Sequence, residues 1–422
     1  MNTLLLVVLV GVTALLMVEG LVRIGGVFEF PFLAGAMLFA FILPQLPGLA
    51  VDSYLPEGAF ARAMVVAVTC ALACRIGWSR DARPPPVLVG FSERRLVIAA
   101  TTLSLAGAYF FFKFNRLPYE ILSTTPYTGI TVVYLFFGKL LYYGFAIALL
   151  CLVRRFSPIT LAVVLFDSLF YLDRIVLAGR RAETVQFMMT FALALWFLHR
   201  WTVPRTVVLA GLLVGTVILG SAGDYRGRMM GQDGPLWAEL TNIDVVENFQ
   251  TLMTAGGEEM RNAVNLIEMA ERTGNFDFGL FHWNTIVFTF VPSQFVGNRF
   301  KDSLYIPLPG SRDRDYVPQQ GSTETGFADA FTSFWYLGAV KFLLVSAMMG
   351  YLYRGAMAGR TECQIAYMLL IVPAMHTISH HTHFVVSELL QMLLFVGPAL
   401  LWARISVAPS VRWRSGEPNS VC

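Results

Sequence analysis

Apolar runs of about twenty residues recur along this 422-residue chain, and they limit its fold more than any other feature. In an α-helix, a run of that length matches a hydrocarbon core of about 30 Å. Such runs lie near residues 3–22, 27–47, 60–78, 95–112, 129–153, 158–177, 183–200, 204–222, 326–351, 363–380 and 384–404. They predict an all-α polytopic membrane protein with about eleven transmembrane helices. Only 14 % of residues are charged, against about a quarter in a soluble domain. The first run has no Lys or Arg before it, so it is expected to stay as a spanning helix rather than be cleaved.

The loops set the orientation. Arg75, Arg80, Arg83, Arg94 and Arg95 crowd one loop, and Arg154 with Arg155, Arg200 with Arg205, and Arg354 with Arg360 occupy later loops on the same side. Arg404, Arg412 and Arg414 follow the last run. The positive-inside rule makes all of these cytoplasmic and leaves the N-terminus outside. The expected organisation is a bundle at 1–222, an extracytoplasmic and mostly helical loop domain at 223–325, three more helices at 326–404 and a cytoplasmic tail at 405–422. The net charge of +3 is spread over short loops, so no nucleic-acid partner is expected. Cys70, Cys74, Cys151, Cys363 and Cys422 show neither a disulfide framework nor zinc-ligand spacing.

The polar island between Ser221 and Asp329 holds about half of the acidic side chains. Residues 236–254 and 258–272 carry apolar residues at helical spacing, with Gly256-Gly257 between them. Residues 280–296 are apolar enough to resemble a span, but a span there would put Arg354 and Arg360 outside. They are expected to form a re-entrant or interfacial helix limited by Pro292. Residues 298–320, with Pro307, Pro309 and Pro318, read as an ordered loop.

Several charges lie within or beside apolar runs. Lys139 and Asp167 are each about ten residues from the outer end of adjacent antiparallel helices, so pairing is expected, either as a structural lock or in a lumenal cavity. Lys341 reads as a snorkelling side chain. Gly179-Arg180-Arg181 opens a helix on the outer side, where Arg180 and Arg181 could grip a phosphate or instead anchor headgroups or pair with Asp173 and Glu183. Arg226 and Arg228 leave the next helix on that side. Arg314 sits in an alternating Arg-Asp cluster that can neutralise itself. His376, His380 and His381 have the HxxxHH spacing of di-iron boxes, but too few other histidines exist for that chemistry, and no metal or cofactor is expected. His380 or His381 is a candidate proton acceptor or phosphate donor, or caps a tight hairpin, with Glu388 close by.

Three stretches carry a family likeness: Gly179-Arg180-Arg181 before an apolar helix, Phe290-Val291-Pro292 followed by Lys301, and Thr325-Gly326-Phe327-Ala328-Asp329 through Trp335-Tyr336-Leu337-Gly338. With their order along the chain, they resemble the Wzy-type polymerases of bacterial oligosaccharide repeat units. The likeness covers about residues 120–400. It departs from the family pattern in having Asp329 where Glu is common and Gln294 where Arg often follows the proline.

The resemblance implies a fold like that of the C-type glycosyltransferases and an inner-membrane enzyme whose active site faces the periplasm. Its substrates would be two undecaprenyl-diphosphate-linked oligosaccharides, with membrane lipids and a chain-length regulator as further partners. Arg180, Arg181, Arg226, Arg228, Lys301, Arg314 and His381 would bind substrate, the cations stabilising the leaving diphosphate. Asp329, Glu324 and His380 compete as the base. An O-antigen ligase is the nearest rival, and a lipid-linked oligosaccharide flippase or exporter the non-enzymatic one. The island is expected to act as a lid, with the reaction where lid and bundle meet.

Overall fold

A computed structural model describes residues 1–79, 89–118, 121, 129–177, 180–221, 243–309, 316, 318 and 322–405. The protein is a helical membrane protein. Among the described residues, seven helices are long and apolar enough to cross a membrane: Asn2–Val22, Phe30–Ala50, Ala59–Gly77, Glu93–Asn115, Ile130–Arg154, Gly326–Met357 and His383–Ala403. Further helices run over Pro158–Leu172, Arg181–His199, Arg205–Gly220 and Thr361–Ser379. Thr361–Ser379 is buried on almost every face, so the rest of the bundle is wrapped around it. Its Tyr367 hydroxyl donates to the Phe28 carbonyl at 2.6 Å, which satisfies a polar group in the core. Cys70, Cys74, Cys151 and Cys363 are free and buried.

Three of these spans are broken, and two of the breaks matter for the polar groups. Ile130–Arg154 divides into Ile130–Gly138 and Leu140–Arg154, with Lys139 at the joint. The Lys139 ammonium pairs with Glu388 of the last helix at 3.1 Å, not with Asp167. Asp167 is fully buried and accepts from Ser104 at 2.7 Å. The expectation matched depth along antiparallel helices, but pairing also needs both side chains on facing sides.

The second break divides Gly326–Met357 into Gly326–Phe334, a 3-10 turn at Trp335–Gly338, and Ala339–Met357. Trp335 has φ 53°, a left-handed backbone unusual for a residue with a side chain. The turn folds the chain back tightly, and a Cβ at Gly338 would fall on the Ala330 carbonyl oxygen.

The island does not behave as one lid. Glu258–Thr273 is strongly amphipathic and buries Met260, Val264, Leu266 and Ile267. Each such side chain contributes about 1.5–3 kcal/mol when fully buried. This helix packs on Ala59–Gly77 and on Gly326–Phe334. Arg261 pairs with Asp52 at 2.5 Å, and Arg62 pairs with Glu268. The Gln45 side chain accepts from the Met260 N–H at 3.1 Å. This half of the island is therefore part of the bundle, and Val245–Ala255 beside it packs on Arg205–Gly220. Of the expected helix at 236–254, the described part begins at Val245, where Asp244 caps it, and residues 236–242 lie outside the described residues.

The other half is loosely held. Residues 280–296 form two helices, Leu280–Phe290 and Ser293–Val296, separated at Pro292, and Val287 is the only fully buried residue of the first. Trp283, Phe288, Phe295 and Phe300 are exposed. Residues 298–303, expected to be loop, form the helix Asn298–Ser303.

Candidate functional site

Asp329 lies in the first turn of Gly326–Phe334, and its side chain is only 2 % exposed. The start of that helix presses on the end of Thr361–Ser379, where a Cβ at Gly326 would fall on the Thr377 carbonyl oxygen. This close approach carries the carboxylate to the turn before His383–Ala403. There Oδ2 accepts from the Thr382 N–H at 2.9 Å and from the Thr382 hydroxyl at 2.5 Å. A carboxylate is also favoured at a helix N-terminus by the helix dipole. Oδ1 faces the Lys341 ammonium at 3.1 Å, and that ammonium also donates to the Ser333 hydroxyl at 2.7 Å. Lys341 is therefore the partner of Asp329, not a snorkelling cation.

His282 reaches the same point from Leu280–Phe290. The segment before that helix is pinned, since Asp277 N–H donates to the Thr332 carbonyl at 2.9 Å and Phe278 N–H to that of Ser333 at 3.1 Å. The Asp277 carboxylate then accepts from Gly279 N–H at 2.7 Å in a local turn. His282 Nε2 stands 2.8 Å from the Thr382 hydroxyl and 3.8 Å from Asp329 Oδ2. Burial pulls the His282 pKa below its ordinary value, outweighing the nearby Asp329 charge.

Glu324 and His381 approach to 3.9 Å, and the His381 ring stacks on Phe281 with centroids 5.0 Å apart. His380 instead shares a 2.8 Å hydrogen bond with Ser379 and packs its ring against His376 and Phe384. Asp329, His282 and Thr382 thus form one centre, with Glu324 and His381 flanking it through Phe281. Asp329 is itself engaged by three donating groups, so it is poorly placed as a free base and well placed to orient its neighbours.

An apolar cavity of about 420 Å³ lies at the other end of Leu280–Phe290, between Ile130–Gly138 and His383–Ala403. Phe136, Phe137, Phe288, Phe290 and Phe395 form its walls. Lys301 and Gln294 add polar groups to its lining. Lys301 donates to the Phe288 carbonyl at 3.1 Å and lies 4.9 Å over that ring. Burial lowers the Lys301 pKa. Along the helix axis, His282 and Phe288 to Phe290 are about 9–12 Å apart at 1.5 Å per residue.

The cations expected to bind phosphate are only partly described. Arg180 is exposed at the N-cap of Arg181–His199. Arg174 takes the partnership with Glu183, at 3.6 Å. The Arg181 side chain and all of Arg226, Arg228 and Arg314 lie outside the described residues. Among the described residues, no group of three or more His, Cys, Asp and Glu side chains is arranged to hold a metal ion.

Sequence reasoning missed Thr382, Lys341 and His282 as members of the centre. One signal was available for His282: an imidazole in the first turn of an apolar, Pro-terminated helix. Compared with protein-family models, with curated proteins and with solved structures, the chain matches none.

Proposed function

We propose that this protein is a membrane glycosyltransferase that polymerises undecaprenyl-diphosphate-linked oligosaccharide repeat units on the outer face of the bacterial inner membrane. In this reading Pro158–Leu172, Arg181–His199, Arg205–Gly220 and Thr361–Ser379 also cross, giving eleven spans with the N-terminus and island outside. The observation that carries it is the helix Leu280–Phe290. One end meets a buried Asp-Thr-His centre, and the other walls an aromatic cavity with a partly desolvated ammonium. A polyprenyl chain suits dry aromatic walls, a diphosphate suits Lys301, and a sugar attached to that diphosphate would extend toward His282.

Glycosyl transfer from a lipid diphosphate needs charge stabilisation on the leaving group. A cation preorganised where that charge grows lowers the barrier selectively. Lys301 and Arg180 supply it here, together with Arg181, Arg226, Arg228 and Arg314 as the family resemblance implies. The attacking hydroxyl needs a proton acceptor near the Asp329 centre, which Glu324 and His381 flank, while His380 faces His376 and Phe384.

A ligase shares the donor and would use the same cavity, so the acceptor separates the two. The glycan profile of a deletion strain decides: lipid capped with single repeat units indicates a polymerase, carrier-bound long chains a ligase, and precursor held on the cytoplasmic face an exporter. Arg180→Ala is expected to abolish long polymer while the protein still inserts, and wild-type chain lengths would remove that arginine from the diphosphate site.

A further inference from the structure

The protons of the Asp329 centre can be assigned from its geometry. A carboxylate that faces the Lys341 ammonium and the Thr382 N–H meets donors only, so the 2.5 Å contact from the Thr382 hydroxyl must also be a donation to it. The single hydroxyl proton is then spent on Asp329, and at 2.8 Å the same oxygen accepts from His282 Nε2–H. The imidazole is fixed as the Nε2–H tautomer, and its basic lone pair lies on Nδ1. That Nδ1 is buried and has no hydrogen-bond partner. The His381 and His383 Nδ1 atoms are likewise buried without a partner. The His383 ring is 6.5 Å from that of His282 and 5.3 Å from that of His381. Buried polar atoms in a native protein normally have partners, so three acceptor or donor sites in one cluster mark a place completed by a polar occupant.

We infer that His282 is the proton acceptor for the attacking sugar hydroxyl, and that Asp329 and Thr382 are positioning residues that hold its tautomer. The inference rests on the proposed glycosyl transfer. The acceptor oxygen forms the new bond to the anomeric carbon, the bond from that carbon to the diphosphate breaks with its electron pair on the departing oxygen, and the hydroxyl proton passes to Nδ1. The resulting imidazolium faces Asp329 at 3.8 Å and returns its proton to water when the product leaves. Nδ1 is closed off in the structure, so Leu280–Phe290 must shift to admit the acceptor. With Val287 alone fully buried, that helix has little packing to lose. The charged and titratable groups around His282 are Asp329, Lys341, Asp277, His381 and His383. Burial keeps the imidazole neutral near pH 7, as a base requires.

The test uses membranes of a deletion strain that accumulates its own lipid-linked repeat units, expressing the full chain or a variant at matched amounts. Initial rates of polymer formation are read from pH 5 to 8. The wild-type rate should fall at acid pH, as pH drops through a value below that of an ordinary imidazole, because burial holds the His282 pKa down. His282→Gln keeps a donor toward Thr382 but cannot take the proton, so it should lose about 10²–10⁴-fold and lose that acid limb. Added imidazole should restore His282→Ala. A wild-type rate or a wild-type acid limb in His282→Gln overturns the assignment. So does a loss in His282→Ala that imidazole does not restore, which would give His282 only the seating of its helix. Wild-type membranes that make no polymer overturn the proposed function itself, and that is seen before any variant is compared.

Discussion

Replacing Asp329 by Asn probes the pair on which the centre is built. The side chain is 2 % exposed and that of Lys341 is 15 % exposed, so neither charge has much water to fall back on. Asn supplies one acceptor oxygen and one amide, and that amide must point its N–H groups at Lys341 or at Thr382, which are themselves donors. Removing one member of a buried ion pair costs about 3–5 kcal/mol, because the other charge is left unpaired. Ser333 and the Asp329 carbonyl still serve Lys341, at 2.7 and 3.3 Å, which favours the lower end, about 3 kcal/mol. At about 2.1 cal/mol/K of unfolding entropy per residue, that loss spread over 422 residues should lower the melting temperature of the detergent-solubilised protein by about 3–4 °C. The double variant Asp329→Asn/Lys341→Met removes both charges and should melt above the sum of the two single losses, since residues in one network couple by about 0.5–3 kcal/mol. Strict additivity in this cycle would refute the pairing and the positioning role drawn from it.

Gly326→Ala should lower stability by about 1–3 kcal/mol by forcing its helix off the Thr377 carbonyl, while Gly397→Ala, whose Cβ would meet nothing within 4 Å, should leave melting unchanged. Lys301→Gln should lower kcat/KM for lipid-linked substrate by about tenfold or more, the worth of a charge-assisted bond, and Phe395→Trp should also lower it by filling the cavity. Burial depresses the folded pKa of His282. The seat of Leu280–Phe290 is therefore complete above the ordinary imidazole pKa and is lost as pH falls through the lower folded value. Hydrogen exchange of residues 280–290, corrected for its intrinsic pH dependence, should accelerate at acid pH in the wild type and lose that dependence in His282→Gln.

The spanning helices were legible because their signal is local: a long apolar run and little charge. Asp329 stood out in the sequence as a candidate base, but the neighbours that engage it did not. Thr382 lies 53 residues away and His282 is 100 residues from Thr382, so no periodicity connects them. Lys341 was misread for a specific reason. Twelve residues along an unbroken helix would set its backbone about 18 Å from Asp329. The turn at Trp335–Gly338 folds the chain back and brings the ammonium to 3.1 Å. Lys139 and Asp167 show the converse: equal depth was readable, but the facing side was decided by packing, which gave Lys139 to Glu388 across 249 residues. The island looked like a single polar unit because it gathers about half of the acidic side chains between two sets of apolar runs. Its first half was drawn into the bundle by the apolar face of Glu258–Thr273 and by Arg261 and Arg62, and its second half stayed loose around exposed aromatics.

The purified full chain, reconstituted in liposomes with lipid-linked repeat units extracted from a deletion strain, tests the central claim most directly. A polymerase yields a ladder of products that grow by whole repeat units, with one undecaprenyl diphosphate released for each linkage formed. Repeat units that remain single and lipid-bound, with no undecaprenyl diphosphate released, would contradict it.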